Sequence, residues 1–481
     1  MDVTRVAAAL VAVLPSELKL PYLAAGSHAQ FGRPQDISPQ SEAQMRHAYI
    51  GIAVLAVACL VCGGLAFAQA AAPGGGGAGA ARGRGPGTRP AASGPATNPR
   101  VYALNRLSPL LTKPPMRPAD WLVEHDPVTP NASPEARALL KYFYSISLKH
   151  TLTGQHNFPF QQEISTNAAL RNSGKTPTIY GSDWGFAQAG DKDSAYSRDD
   201  TVAELIKQWH AGHIIVMCWH AVRPTEDVPV TFMGSVRQTL TDAEWNQLVT
   251  PGSDLNKRWL AQVDEIAGYL KKLQDAHVPI LWRPFHEMNL DAFWWSGRRG
   301  ETGTKELYRM IFDRLVNFHK LNNLIWIWNC DRPEGTDRQF VDYFPGQQYF
   351  DILTLDCYAA FNQRYYDEMN ALSDGKVMAI SETGNVPPLA TYQMQPKWTY
   401  YMCWAGSGPG GGGGGGRARG PATSASVAPA SQPAARGGGR GNAIDYATIM
   451  SDPRLFNLED SAYWDSIADL RKACGLPAAR P

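Results

Sequence analysis

Two acidic residues stand apart from the other carboxylates of this 481-residue sequence: Glu287, in Trp282-Arg283-Pro284-Phe285-His286-Glu287, and Glu382, in Ile380-Ser381-Glu382-Thr383. Each follows a short apolar run, and 95 positions separate them. Such a pair suits glycosidic-bond hydrolysis. One carboxylic acid protonates the leaving oxygen while the other carboxylate attacks or stabilises the oxocarbenium-like centre. Either glutamate alone reads equally well as a solvated or arginine-paired loop acid. The joint pattern favours chemistry, because Arg283 lies four residues before Glu287 and a cation there would keep Glu382 ionised by charge pairing. The plainer reading of Arg283 is a partner for a structural acid.

Aromatic residues fit a sugar ligand, since the apolar faces of pyranose rings stack on indole and phenol rings. Trp184, Trp219, Phe293, Trp294, Trp295, Tyr358 and Trp404 all fall at or beyond the ends of apolar runs. Large aromatics are as often core as platform. His220 and His286 flank the same places and suit hydrogen bonds to hydroxyls. A zinc-protease helix is excluded, because the histidine it needs three residues after the glutamate is replaced by Leu290. No metal and no cofactor are expected.

Eight apolar, β-rich runs must position these groups: residues 150–153, 176–180, 213–219, 279–283, 324–328, 351–355, 376–380 and 399–404. Amphipathic stretches separate them, such as 201–210, 260–276, 305–319 and 461–472. Continuous apolar strands alternating with helices are the rhythm of a parallel sheet covered on both faces. Eight such units predict an α/β fold, a (β/α)8 TIM barrel with catalytic groups at the C-terminal ends of its strands. Glu287 then follows strand four and Glu382 strand seven, facing each other across one mouth. An open doubly wound sheet is the alternative, but no glycine-rich phosphate loop follows the first strand.

At these residues the sequence resembles glycoside hydrolase family 26, whose best-known members are endo-β-1,4-mannanases. The resemblance runs from about His150 to Asp452. It is carried by Trp282-Arg283-Pro284-Phe285-His286-Glu287-Met288-Asn289, Phe293-Trp294-Trp295, Leu355-Asp356-Cys357-Tyr358 and Ile380-Ser381-Glu382-Thr383-Gly384. It implies a retaining double displacement with Glu287 as acid/base and Glu382 as nucleophile. His220, His286, Arg283, Trp295, Tyr358 and Trp404 are the expected substrate-binding residues; by the same resemblance His286 would lie near O2 of the sugar at the cleavage point, Tyr358 would hydrogen-bond the nucleophile, and His220 and Trp404 would line the same subsite. The pattern departs from the family at Leu290 and Ala292, where glycine and a tryptophan are usual. The ring missing at Ala292 bears on the leaving-group side of the cleft.

A net charge of +1 gives no reason to expect nucleic acid or an acidic membrane surface as a partner. The expected partner is β-mannan or a related polysaccharide, bound by a monomer. Xylan or β-glucan cleavage, or a non-catalytic carbohydrate-binding barrel, are the competing readings. Residues 45–68 carry an apolar run ending in Ala66-Phe67-Ala68 and read as a signal peptide rather than a membrane anchor, so a secreted or periplasmic protein is expected. Residues 1–44 read as an upstream extension that is not native, 69–100 as a disordered linker, and 101–481 as the hydrolase domain. A low-complexity insertion at 408–441 interrupts that domain. Five cysteines follow the signal segment in spacings that suit buried free thiols.

Overall fold

The structure, a computed structural model, describes residues 122–186, 195–411 and 444–478. The upstream extension, the signal segment and the first linker lie outside these residues, as does the glycine-rich tract after Gly411.

The strands are β1 (Thr151–Leu152), β2 (Gly154–His156), β3 (Ile179–Asp183), β4 (Ile214–Trp219), β5 (Ile280–Pro284), β6 (Leu324–Asp331), β7 (Ile352–Asp356), β8 (Val377–Thr383), β9 (Trp398–Cys403) and β10 (Leu455–Phe456). All of these strands pair in parallel, and β9 bonds to β8 on one side and to β1 and β2 on the other. The sheet is therefore closed. β1 and β2 share one barrel position, broken at Thr153, so eight positions form the (β/α)8 barrel that the eight apolar runs predict. β10 is an addition outside β1, which the hydrophobic pattern did not signal.

Helices follow where the sequence supplies both caps and stripes. Ser133 caps α1 (Pro134–Ile146) by accepting from the Ala136 amide, and the Thr241 and Glu244 side chains form a reciprocal capping box for residues 242–249. The 22-residue helix Asp254–Asp275 turns Trp259, Val263, Ile266, Leu270 and Leu273 onto the barrel, spaced three and four apart. Each such side chain contributes roughly 1.5–3 kcal/mol by leaving water, so this face outweighs any capping bond.

Alternation along the strands sorts packing from chemistry. On β5, Trp282 is fully enclosed and packs outward, whereas Arg283 points into the barrel toward Asp356 and Glu382. On β6, Trp326 meets Tyr308 and Phe312, and Trp328 meets Phe344 and Phe350, while Asn329 between Trp328 and Cys330 faces inward. The strands β3, β6 and β8 extend three residues past the apolar runs, through Asp183, Asp331 and Thr383. Polar residues break an apolar run, yet they continue the strand wherever neighbours inside the mouth satisfy them.

Of the tract expected at 408–441, the structure describes residues 408–411. Gly408–Gly410 form a 3-10 turn, and the carbonyls of Pro409 within it and Gly411 after it accept hydrogen bonds from Asn172 at 2.9 and 2.7 Å. A Cβ on Gly410 would lie 2.4 Å from the Gln155 side chain, so a larger residue there would displace the Gln155 amide from its bonds to the Cys403 and Trp404 carbonyls. Cys218, Cys330, Cys357 and Cys403 are buried and unpaired, and Cys474 is partly exposed.

Candidate active site

Glu287 and Glu382 stand at the mouth of the barrel but are held differently. Glu382 is the sixth residue of β8, with Arg283 Nη2 donating to its Oε1 at 2.5 Å and the Tyr358 hydroxyl donating to its Oε2 at 2.7 Å. Both oxygens are thus engaged. Arg283 reaches Asp356 Oδ2 with its other terminal nitrogen at 2.9 Å, so one guanidinium bridges two carboxylates in a site with no solvent around it.

Glu287 lies in the loop after β5, and its backbone has φ 51°, with φ 50° at Phe285. Left-handed backbone at a residue with a side chain costs about 1–3 kcal/mol and persists only where its surroundings enforce it. Here the Glu287 amide donates to Asn329 Oδ1 at 2.6 Å, and Trp295 Nε1 donates to the His286 carbonyl at 3.0 Å. Among the described residues none hydrogen-bonds the Glu287 carboxyl. Burial, and then the charges of Glu382, Asp356 and Asp331, push that carboxyl well above the usual range and outweigh Arg283. The Glu287 carboxyl is thus biased toward its protonated form, while Glu382 sits in a cradle of donors.

One oxygen each from Glu287, Asp356 and Glu382 lie within 4.8 Å of one another. That set, and a second one of His156, Asp183 and Cys218, have spacings a metal ion would accept. In the first the Arg283 cation already occupies one oxygen of Asp356 and one of Glu382. In the second the Asp183 oxygens are taken by the His220 ring, the His220 amide and the Gly185 amide.

The histidines form one wall. The His220 and His286 rings meet edge to face at 4.5 Å, and Asp183 holds His220 Nδ1. Burial acts to raise Asp183, but the His220 charge and these hydrogen bonds leave it well below the ordinary range. Burial, then His220 and Arg283, keep His286 well below its usual value, so its ring is neutral near pH 7. Trp404 stacks on His156 with ring centroids 3.9 Å apart, leaving its outer face for a ligand.

The sequence expectations divide accordingly. Glu287, Glu382, Arg283, His220, His286, Tyr358 and Trp404 converge on one mouth. Trp295, expected to bind substrate, has no exposed surface; it lies behind His286, stacked on Phe293 at 4.6 Å. Arg283 is likewise fully enclosed and acts on Glu382 and Asp356 rather than on a ligand at the surface. Of the aromatics at the strand ends, Trp184, Trp219, Phe293 and Trp294 are buried, which leaves Tyr358, 48% exposed, and the partly exposed Trp404 as platforms. Ala292 packs partly buried against the core, and neither Trp294 nor Trp295 supplies the ring missing there. Asn329 and the His156 support of Trp404 were not anticipated. The available signal for Asn329 was an amide at an inward position of a strand whose outward residues are tryptophans.

The sequence matches the Glycosyl hydrolase family 26 pattern over residues 128–409. A mannan endo-1,4-beta-mannosidase of Thermothelomyces thermophilus is 32% identical over 286 residues, which cover 57% of this chain and 56% of that protein. This chain thus spans about half the length of that relative. Among solved structures, GH26A from Muricauda sp. MAR_2010_75 is 39% identical with a TM-score of 0.54, over 57% of this chain and 90% of the other. A beta-mannanase from a symbiotic protist of the termite Reticulitermes speratus has the same fold, with a TM-score of 0.56 at 24% identity over 71% of this chain and 98% of that one. With the matched segment spanning most of the barrel and both glutamates at its mouth, the chain belongs to glycosyl hydrolase family 26.

Proposed function

We propose that this protein is an exported β-mannanase that cleaves β-1,4-mannosidic bonds inside mannan-type polysaccharides with retention of configuration. The observation that carries the proposal is the pairing of a buried Glu287 carboxyl, hydrogen-bonded by none of the described residues, with a Glu382 held by Arg283 and Tyr358, one oxygen of each within 4.8 Å of the other. Retaining enzymes hold their carboxyl groups about 5–5.5 Å apart, and inverting enzymes need roughly 6.5–9.5 Å to admit a water. The names carried by related proteins support mannan as the polymer.

In the first step Glu287 gives its proton to the glycosidic oxygen, the bond from that oxygen to C1 breaks, and a Glu382 oxygen forms an ester to C1. The departing chain leaves with the proton. In the second step water attacks C1, Glu287 takes the water's proton, and the ester bond breaks to restore the Glu382 carboxylate. His286 and His220 meet hydroxyls of the sugar at the cleavage point, and Trp404 stacks on its apolar face. Tyr358 releases or retains its bond to Glu382 as the ester forms.

A panel of linear mannan, galactomannan, xylan and mixed-linkage glucan tests the reading, with product sizes followed in time and the first-formed anomer read by proton NMR. Mannan cut first into long fragments, with the β-anomer appearing first, is the expected result. An α-anomer first would overturn retention, and cleavage confined to xylan or glucan would overturn the substrate. N-terminal sequencing of the secreted protein, with a start after Ala68 expected, tests export.

A further inference from the structure

We infer that Asn329 is the positioning residue that ties the acid/base to the nucleophile. The inference rests on the roles proposed for Glu287 and Glu382. Asn329 lies on β6 with no exposed surface, and its amide group is used at both ends. Oδ1 accepts the Glu287 backbone N–H at 2.6 Å, while Nδ2 lies 2.8 Å from Asp356 Oδ1, 2.8 Å from Ser381 Oγ and 2.9 Å from Thr354 Oγ1. The chemistry of the partners fixes the orientation: an N–H needs the oxygen, and a carboxylate needs the NH2. Ser381 spends its own proton on Asp356 Oδ1 at 2.8 Å, so it can accept from Asn329. One side chain therefore joins the loop after β5 to β7 and β8.

The connection continues to the nucleophile. Asp356 Oδ2 takes Arg283 Nη1 at 2.9 Å, and Arg283 Nη2 takes Glu382 Oε1 at 2.5 Å. A line of hydrogen bonds thus runs from the Glu287 backbone through Asn329, Asp356 and Arg283 to Glu382. Each end has a separate task. The acceptor end satisfies the amide of Glu287 at φ 51°; without it a buried N–H is orphaned, and the loop gains by leaving the left-handed conformation. The carboxyl of Glu287 would then swing away from the leaving oxygen. The donor end holds Asp356 in place for Arg283; without it the guanidinium is free to shift toward Asp356 and away from Glu382.

The two tasks are separable by chemistry. Asn329→Asp keeps an oxygen for the Glu287 amide but sets a carboxylate against Asp356, and on protonation it regains one O–H donor. Asn329→Ala removes both ends. The test uses the full-length wild type and both variants on aryl β-mannobiosides with leaving groups from good to poor, across pH 4.5–8, with thermal melts alongside.

For Asn329→Asp, kcat/KM relative to wild type should fall about 10–100-fold at pH 7, as expected for reacting groups displaced by an ångström. The loss should be similar for all leaving groups and recover several-fold as the pH falls toward 5. For Asn329→Ala the loss should be steeper for poor leaving groups, which need the acid. A loss in Asn329→Asp that is the same at every pH, or kinetics within twofold of wild type, would overturn the inference. If Asn329→Ala does not fold, the pH recovery of Asn329→Asp decides alone. A wild type inert on every mannobioside would instead bring down the proposed function, and this inference with it.

Discussion

At the mouth of the barrel, Arg283 lies between Asp356 and Glu382, the Glu287 carboxyl is buried beside them, and Asp331 pairs instead with Arg332. At the opposite end, just before β8 and β9, Lys376 and Lys397 are buried against neutral oxygens: Lys376 donates to the Gln347 and Phe350 carbonyls, and Lys397 to Asn370 Oδ1 and Ser373 Oγ. Burial lowers Lys397 to about 7 and Lys376 to about 8, the latter with Asp351 opposing. The mouth crowds buried acids around Arg283, and the floor buries lysines against neutral oxygens. The mouth's arrangement makes chemistry and the floor's joins strands to loops, which is the division of labour expected between the two faces of such a barrel.

The comparison is broken most severely at the mouth. Glu382→Ala should lower kcat on mannan by about 10⁴-fold or more, since no other carboxylate can reach C1. Reducing-sugar release that stays above about 1% of wild type would mean Glu382 is another structural acid. Glu287→Gln should cost about 10²–10⁴-fold on polymer and remove the alkaline limb of the kcat/KM profile, because that limb reports loss of the Glu287 proton.

The same pair of regions makes opposite predictions for stability. Glu287 is raised in the fold, so its contribution is present below its ordinary value of 4.5 and is lost as pH climbs through the folded value. Glu287→Gln should therefore melt higher than wild type above about pH 5, with the gap closing at pH 4. Lys397 is lowered, so the unfolded chain binds its proton more readily between pH 7 and 10.5, and stability rises with pH across that window. The Tm advantage of Lys397→Met over wild type should shrink by at least about 3 °C between pH 6 and pH 9 in calorimetry. A constant difference would show that the lysine is charged at both. Lys376→Met should follow the same sign with a smaller change, because Lys376 is lowered less and Asp351 offsets part of its burial.

What was legible in the sequence follows from the same physics. Strands show as apolar runs because helices cover their outer faces, so all eight positions and the placement of both glutamates could be read. Arg283 was legible as a cation inside an apolar strand, and Tyr358 and Trp404 through family likeness. The direction of Trp295 was not legible, because a side chain's course after a strand end depends on the loop's path, and here it packs behind His286. Asn329 carries no spacing signature at all: its partners lie 42, 25, 27 and 52 positions away, and only the closed barrel brings them within reach. The short β10 strand was hidden for a similar reason. Two residues give no periodicity, and its pairing depends on Thr151 and Thr153, some 300 positions earlier.

That last pairing has a consequence for biosynthesis. The Thr151 amide bonds to the Arg454 carbonyl at 2.8 Å and the Thr153 amide to the Phe456 carbonyl at 3.1 Å, so among the described residues the first strand to leave the ribosome is flanked by the last. The β1 edge stays unpaired on that side until residues 454–456, some 300 positions later, have been made. Unpaired edges invite other chains, so the interval between synthesis of β1 and of β10 is when a nascent barrel most needs a chaperone, and a ribosome stalled before residue 454 would display that open edge.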